Sequence, residues 1–392
     1  MSDKNKNVMK PDWRRVKFGD VVRQCKEKAD PETSGLERYI AGEHMDTDDL
    51  RLRRWGEIGS GYLGPAFHMR FKPGQVLYGS RRTYLRKVAI ADFDGICANT
   101  TFVLEPKSPR ELLPTFLPFL MQTDAFNNFS IKNSKGSVNP YINYSDLAQF
   151  EFALPPEDEQ VRFVEMLTAT ENVMAAHDDV VNHVARFGRS LLADVLSREW
   201  PIVDLGSVIQ GTQYGLSINA GSEGQYPMLR MMNIEDGRCV ENDIKYVDLN
   251  NKDFEAYRLI HGDVLFNRTN SYELVGRTGV YELQGDHVFA SYLVRIKTNL
   301  EKLEPKFLTL YLNSDFGRRQ VLAYATKAVS QANVNASNLL RVRLPLPPLE
   351  IQQQLLKEMA SAMSAEQAAA VRRSSAAEMK KQLLAEIAGG VE

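Results

Sequence analysis

Apolar residues two apart at Phe150, Phe152 and Leu154 stop at Pro155-Pro156, and about forty residues without another proline follow. The passage returns at an offset of 192 as Val342, Leu344 and Leu346 before Pro347-Pro348, with a second proline-free run. Period-2 spacing predicts a strand with one buried face. The second proline suits a first helical position, where its missing N–H costs nothing, and the acids just after it suit a helix N-terminus. The first run then spaces Phe163, Met166, Thr170, Val173, His177, Val180, Val184, Phe187 and Leu191 by alternating threes and fours, a heptad seam with two polar interruptions. The second spaces Leu355, Met359, Ala362, Glu366, Ala369, Arg373, Ala376, Lys380, Leu383 and Ile387, a weaker, alanine-rich seam. At 1.5 Å per residue each helix spans roughly 60 Å. Such rods, expected over 157–199 and 349–388, bury their seams within one chain only by pairing antiparallel.

The repetition extends beyond these passages. Trp13, Val16, Phe18, Gly19 and Val21 recur as Trp200, Val203, Leu205, Gly206 and Val208. Gly74, Val76, Leu77 and Tyr78 recur as Gly262, Val264, Leu265 and Phe266, and Ile142, Asn143, Ser145 and Leu147 as Val334, Asn335, Ser337 and Leu339. A period near 190 is too long for a solenoid and marks a duplicated domain. The expected fold is α/β in the α+β sense: after a flexible 1–12, two pseudo-repeated domains over 13–156 and 200–348, separated by two long antiparallel coiled-coil helices. Each domain should mix short, largely antiparallel strands with helices such as Pro114–Asn127 and Pro305–Tyr324. The shared positions are mostly Gly, Pro and apolar, whereas the polar stretches between them differ. Equal scaffolds with different loops suggest two readers of two different things.

A length of 392 residues suits two domains plus helices. The longest apolar runs are too short for a membrane span and the N-terminus lacks a signal-type apolar segment, so the cytoplasm is the expected compartment. Three cysteines without C-x-x-C spacing argue against disulfides and zinc and predict buried or neutral thiols. The net charge of −2 conceals segregation. Residues 51–87 hold nine basic residues and one acid, whereas 157–199 hold nine acids and four arginines. The first tract should attract phosphate and the rod repel it.

Intrinsic chemistry finds little footing. Gly59-Ser-Gly-Tyr-Leu-Gly64 fits the spacing of a dinucleotide-binding turn, but Pro65 follows and no helical pattern opens there, so a turn is expected. Asn139-Pro-Tyr-Ile142 lacks the second proline of the amino-methyltransferase motif. Glu378-Met-Lys380 has nuclease-like spacing but lies on the last rod, where a solvated face is expected. The six histidines form no i, i+4 pair and no ligand cluster. His177, on the seam, reads as a register-setting polar residue.

Gly262-Asp-Val-Leu-Phe-Asn-Arg-Thr-Asn-Ser271 with Leu274-Val-Gly-Arg277, Ser291-Tyr-Leu-Val-Arg295, Asn333-x-Asn335, and the Leu-Pro-Pro-Leu-Glu-x-Gln run ending at Gln352 resemble the specificity subunits of type I restriction-modification systems. The resemblance covers nearly the whole chain and its order of target-recognition domain, helix, domain, helix. It implies a non-catalytic subunit that reads a split site in double-stranded DNA, one half per domain. It also implies two modification (methyltransferase) subunits docked on the helices, restriction (endonuclease/translocase) subunits bound through them, and no cofactor in this chain, S-adenosylmethionine belonging to the modification partner. A stand-alone methyltransferase or nuclease, a coiled-coil adaptor and an RNA-binding protein are the alternatives.

Lys and Arg neutralise phosphates, whereas Arg on guanine and Asn or Gln on adenine make bidentate contacts to base edges. In the first domain Arg81, Arg82, Tyr84, Arg86 and Lys87 follow the strand at Val76–Tyr78, with Lys132 and Lys135 in a second loop before Asn139. In the second, Arg268, Thr269, Asn270, Tyr272 and Arg277 hold the equivalent loop, with Lys327, Gln331 and Asn333 in the other.

Two readers joined by rigid rods should measure the gap between their half-sites. Four residues inserted after Val184 and four near Ala362 lengthen the pair by roughly 6 Å. With about 3.4 Å per base pair, the preferred spacer should grow by one or two pairs while the half-sites stay the same. Methylation of a library varying only in spacer checks this; an unmoved optimum in a normally folded protein rules it out.

Overall fold

The computed structural model describes residues 10, 12–327 and 331–389, except for the side chain of Lys327. The expected flexible segment 1–12 thus lies almost wholly outside the described residues. The chain divides into two compact units, one running to Asp179 and resuming at Ala369, the other Val180–Ala368.

In the first unit Arg14–Lys17 pairs antiparallel with Glu151–Leu154. A four-stranded sheet runs Val22–Cys25, Thr101–Pro106, Val76–Gly79, Val88–Ile90, and a second runs Gly56–Glu57, Arg38–Ile40, Gly95–Ala98, Phe67–Phe71. The strand at Val76 is apolar and buried on both faces, as a central strand must be. Arg38–Ile40 and Gly95–Ala98 are parallel, within an otherwise antiparallel arrangement.

The second unit repeats these pairings. Ile202–Asp204 joins Arg343–Pro345, and Ile209–Tyr214, Leu293–Thr298, Val264–Asn267 and Thr278–Val280 follow the order of the first sheet. Tyr226–Leu229 and Val288–Phe289 reproduce the parallel pair. The duplicated Gly19 and Gly206 have a steric cause. Each amide donates to a carbonyl of the opposing segment, Ala148 or Leu340 at 2.9 Å, and a Cβ on Gly19 would stand 2.7 Å from that of Ala148.

The helix expected over 114–127 is two helices, Leu117–Gln122 and Asp124–Lys132, and that expected over 305–324 is Pro305–Asn313 and Asp315–Ala323. The break falls at Thr123 and at Ser314, whose hydroxyls accept the amides of Phe126 and Gly317 and so restart the helix in a new direction.

The two long helices are Glu157–Ser197 and Leu349–Ala388. In the first unit Glu171 meets Lys380 at 2.5 Å and Asp178 meets Arg373 at 3.7 Å, so one number rises as the other falls. In the second, Gly188 faces Met359, and Leu192 and Val195 share a core with Leu355. The halves are antiparallel in both units. The seam of the second helix lies where the alanine-rich pattern put it, from Leu355 to Ile387. The first keeps Phe163, Thr170, His177 and Val184 but fills the alternate places one residue later, with Leu167, Met174, Val181 and Gly188. Val173 and Phe187 are left exposed. At Gly188 the missing side chain makes room for Met359, which Phe187 could not do. Glu378 and Met379 are exposed, as the solvated face expected there requires, whereas Lys380 is buried in the seam, where the heptad spacing put it.

Each long helix is fastened to its domain by a buried glutamine in its first turn. Gln160 Nε2 donates to the carbonyls of Glu111 and Pro155, both at 2.9 Å, and its Oε1 accepts the amide of Leu113 at 2.9 Å. Gln352 makes the same three bonds, to Lys302 and Pro347 at 2.9 and 2.8 Å and from Glu304 at 2.9 Å. Gln160→Ala or Gln352→Ala leaves three backbone groups without their partner and should cost about 2–4 kcal/mol. Urea unfolding of either variant should show the loss, and an unshifted midpoint would rule the role out.

Candidate nucleic-acid interface

In the second unit the strands' ends gather the expected loop residues. Thr269–Asn270 pairs with Ala332–Asn333, which pairs in turn with Thr326–Lys327. Asn333 ties the group together: its Oδ1 accepts from Arg268 at 3.3 Å and its Nδ2 donates to Thr269 Oγ1 at 3.0 Å. The Arg268 guanidinium lies 4.8 Å from the ring centre of Tyr214 and its amide donates to the carbonyl of Tyr292. Beneath, Asn267 is fully buried, with neither side-chain atom hydrogen-bonded. Arg268, Thr269, Asn270 and Asn333 are half-buried, and Tyr272, Arg277 and Gln331 are exposed. The side chain of Lys327 lies outside the described residues.

The first unit builds the same device from other residues. Arg81 and Lys135 both bridge to Tyr141, at the places that Thr269 and Thr326 occupy around Asn333. Arg82, at φ 50°, donates from Nε to Asn139 Oδ1 at 3.3 Å. Arg81, Arg82, Tyr84, Lys132, Lys135 and Asn139 are exposed. Lys135 also holds Asp146 at 2.7 Å, a bond that raises the lysine above its ordinary pKa and lowers the carboxyl.

Arg86 and Lys87 turn inward. Arg86 bridges Asp48 at 2.8 Å, Asp124 at 2.7 Å and the carbonyl of Gln122 at 2.8 Å. Burial works against its charge, but the bond with Asp124 and the charge of Asp48 hold it above the usual arginine value. Lys87 Nζ donates to the carbonyl of Gly42. The basic tract is likewise largely neutralised: Arg53 pairs with Asp49, Arg54 with Asp46, Arg70 with Asp94 and Glu27, and Lys72 with Glu27. All those acids fall outside the window 51–87, so a local charge count missed them.

Tyr141 and Tyr214 were not among the expected residues. Tyr141 could have been found by applying the 192 offset to Asn333; Tyr214 follows only from the fold. The thiols are buried or neutral, as expected. Burial pushes Cys97 and Cys239 up to about 12, whereas Cys25 is half-buried and raised to about 11, mainly by burial and then by Glu105. Among the described residues no group of three or more His, Cys, Asp or Glu could hold a metal ion, and no helix is long and apolar enough to cross a membrane.

Residues 11–182 and 198–364 each match the type I restriction modification DNA specificity domain. The chain belongs to that family. Two matches, covering both units, account for the internal repeat of this specificity-family chain. A Methanocaldococcus jannaschii protein named as the MjaX specificity subunit of a type I restriction enzyme is 32% identical over 166 residues, 41% of this chain and 39% of its own length. The StySPI specificity subunit of Salmonella potsdam is 22% identical over 284 residues, 67% of this chain and 61% of its own. The matches thus span between two fifths and three fifths of these relatives. A type I restriction-modification S subunit from M. genitalium shares the fold, with a TM-score of 0.61 at 12% identity, over 98% of both chains.

The geometry of Arg86 makes it a strut. Arg86→Ala should cost about 1–3 kcal/mol of stability in the first unit through its lost charged hydrogen bonds. The salt dependence of any DNA binding should stay as it was. A flattened salt slope at unchanged stability would return Arg86 to the phosphate-contacting group.

Proposed function

We propose that this chain is the specificity subunit of a type I restriction-modification complex, itself non-catalytic, which reads a bipartite site in double-stranded DNA with one half per domain. The domains over 13–156 and 200–348 are the target-recognition domains. The reading rests on one observation above all: two segments bridge to one central residue at the same place in both units, as a three-stranded sheet around Asn333 and as two isolated bridges to Tyr141, with different side chains on them. Arg81, Arg82, Tyr84, Lys132, Lys135 and Asn139 face one half-site. Arg268, Thr269, Asn270, Tyr272, Arg277, Gln331 and Asn333 face the other, and Lys327 is assigned to the same group. Arg268, Asn270 and Asn333 have the donors and acceptors for bidentate contacts to guanine or adenine edges, and the lysines suit phosphates.

Two modification subunits dock on the exposed faces of the long helices and carry the S-adenosylmethionine, and restriction subunits join through them. Such an assembly works in the cytoplasm, where its DNA is. Support comes from the alanine-rich seam, which buries little area for its length and so leaves the pair to gain from partner helices.

Arg268→Ala with Asn270→Ala tests the reading. In the complex with its modification partner, specificity at one half of the site should relax by roughly 1–3 kcal/mol per lost bidentate contact, the other half staying intact. Sequencing of the modified bases in the host genome measures this, and an unchanged methylation pattern counts against the loop.

A further inference from the structure

Beside its polar cluster the second domain exposes apolar side chains at places where the first domain holds small or polar ones; the first domain's own exposed apolar and aromatic residues, Tyr84, Ile131, Val138 and Tyr141, stand at other positions. Three segments run side by side past the end of the parallel pair. Leu229 lies opposite Phe289, the amide of Ala290 donates to Leu229, and Leu216 bridges to Ala290. Beyond that line the chain continues into Ile218, Met231, Met232 and Tyr292, which are 44%, 38%, 51% and 50% exposed. The carbonyls of Ser291 and Tyr292 both hold Arg268, so Tyr292 adjoins the cluster, and the turn at Met231 follows Leu229 on the neighbouring segment.

The fold does not require these residues. The turn Met231–Asn233 has its counterpart in Gly42–His44: Asn233 Oδ1 accepts the amide of Arg230 at 2.9 Å, just as His44 Nδ1 accepts that of Ala41 at 3.1 Å. Gly42 and Glu43 therefore stand where the second domain has Met231 and Met232. Thr100, whose carbonyl accepts the amide of Ser80, stands where Tyr292 accepts that of Arg268. One frame carries small and polar residues in one copy and large apolar ones in the other. Leaving such side chains in water gains the monomer nothing, and they adjoin donors suited to base edges.

We infer that Met231, Met232 and Tyr292 form a wedge that packs on base faces in the half-site of the second domain, opening one base step there, while the first domain has no wedge at the equivalent places, Gly42, Glu43 and Thr100. This deepens the proposed function and rests on it. Apolar side chains placed between base steps unstack and kink a duplex, and stacking of a base on an aromatic ring is tolerant of sequence. The wedge thus supplies deformation at the step and leaves identity to Arg268, Asn270 and Asn333.

The test uses the full complex with its modification partner and duplexes carrying 2-aminopurine at successive non-target positions of each half-site. Fluorescence should rise on binding at one step of the second domain's half-site, and that rise should depend on Met231, Met232 and Tyr292. Met231→Gly with Met232→Gln, and separately Tyr292→Thr, replace the wedge with small or polar residues of the kind the frame tolerates in the first domain. Each should abolish that rise and weaken cognate binding about tenfold, with the salt slope unchanged because no phosphate contact is lost. Unchanged affinity with no position-specific fluorescence would overturn the wedge while leaving the reading by Arg268 intact. A wild-type complex that does not prefer its cognate duplex would instead overturn the proposed function, before any variant is made.

Discussion

A three-way bond from one buried side chain decides whether a long helix is part of its domain or merely follows it. Without Gln160, the carbonyls of Glu111 and Pro155 and the amide of Leu113 would face the helix start with no partner. Gln352 answers the same need in the other unit. Glutamine fits because it is neutral, carries donor and acceptor on one planar group, and reaches past the first turn. A carboxylate there would meet two carbonyls with no proton to give. The bond ties the strand that ends at the proline pair and the helix that follows to a loop almost fifty residues away in sequence, before the paired short helices. Everything that depends on the angle between rod and sheet depends on it.

With that angle held, the chain can vary what it presents without disturbing how it presents it. The strand ends, the bridge between them and the capped turn beside them recur in both units, while Asn333 is replaced by Tyr141, Thr269 by Arg81 and Asn267 by Gly79. The duplicated parts are close-packed or hydrogen-bonded inward, so they admit few substitutions. The varied side chains stand mostly at the surface, where packing sets no limit.

This division also explains what could be read from the sequence. The strand-proline-helix passages, the second seam and the domain repeat follow from periodicity, and periodicity is imposed by burial. Expectation failed where long-range contacts decide. Val173 and Phe187 look like seam residues locally, but the stripe follows Leu167, Met174 and Gly188, because the partner helix, not the heptad, sets which neighbour is covered. Arg86 reads as a surface cation until Asp48 and Asp124 are placed around it. The breaks at Thr123 and Ser314 each carry a capping residue followed by Asp, but the apolar pattern continues through them and masks that signal.

The polar residues of the helix seams follow from the same physics. A pair such as Glu171 and Lys380, both largely buried, gives up hydration that its mutual attraction scarcely recovers, so it is a poor source of stability. Its value is in what it forbids. A seam of alanines can slide by a turn with little change in buried area, since one small side chain fills a gap about as well as the next. Sliding would strand Lys380 against apolar neighbours and leave Glu171 without its counter-charge, a cost of several kcal/mol for a buried ion. Arg373 and Asp178 add a second, more exposed contact two turns away, and the two cannot both be met in a shifted register. The weak apolar seam and the costly ion pair are therefore complementary: the first permits close approach of the backbones, and the second leaves one alignment in which that approach is favourable.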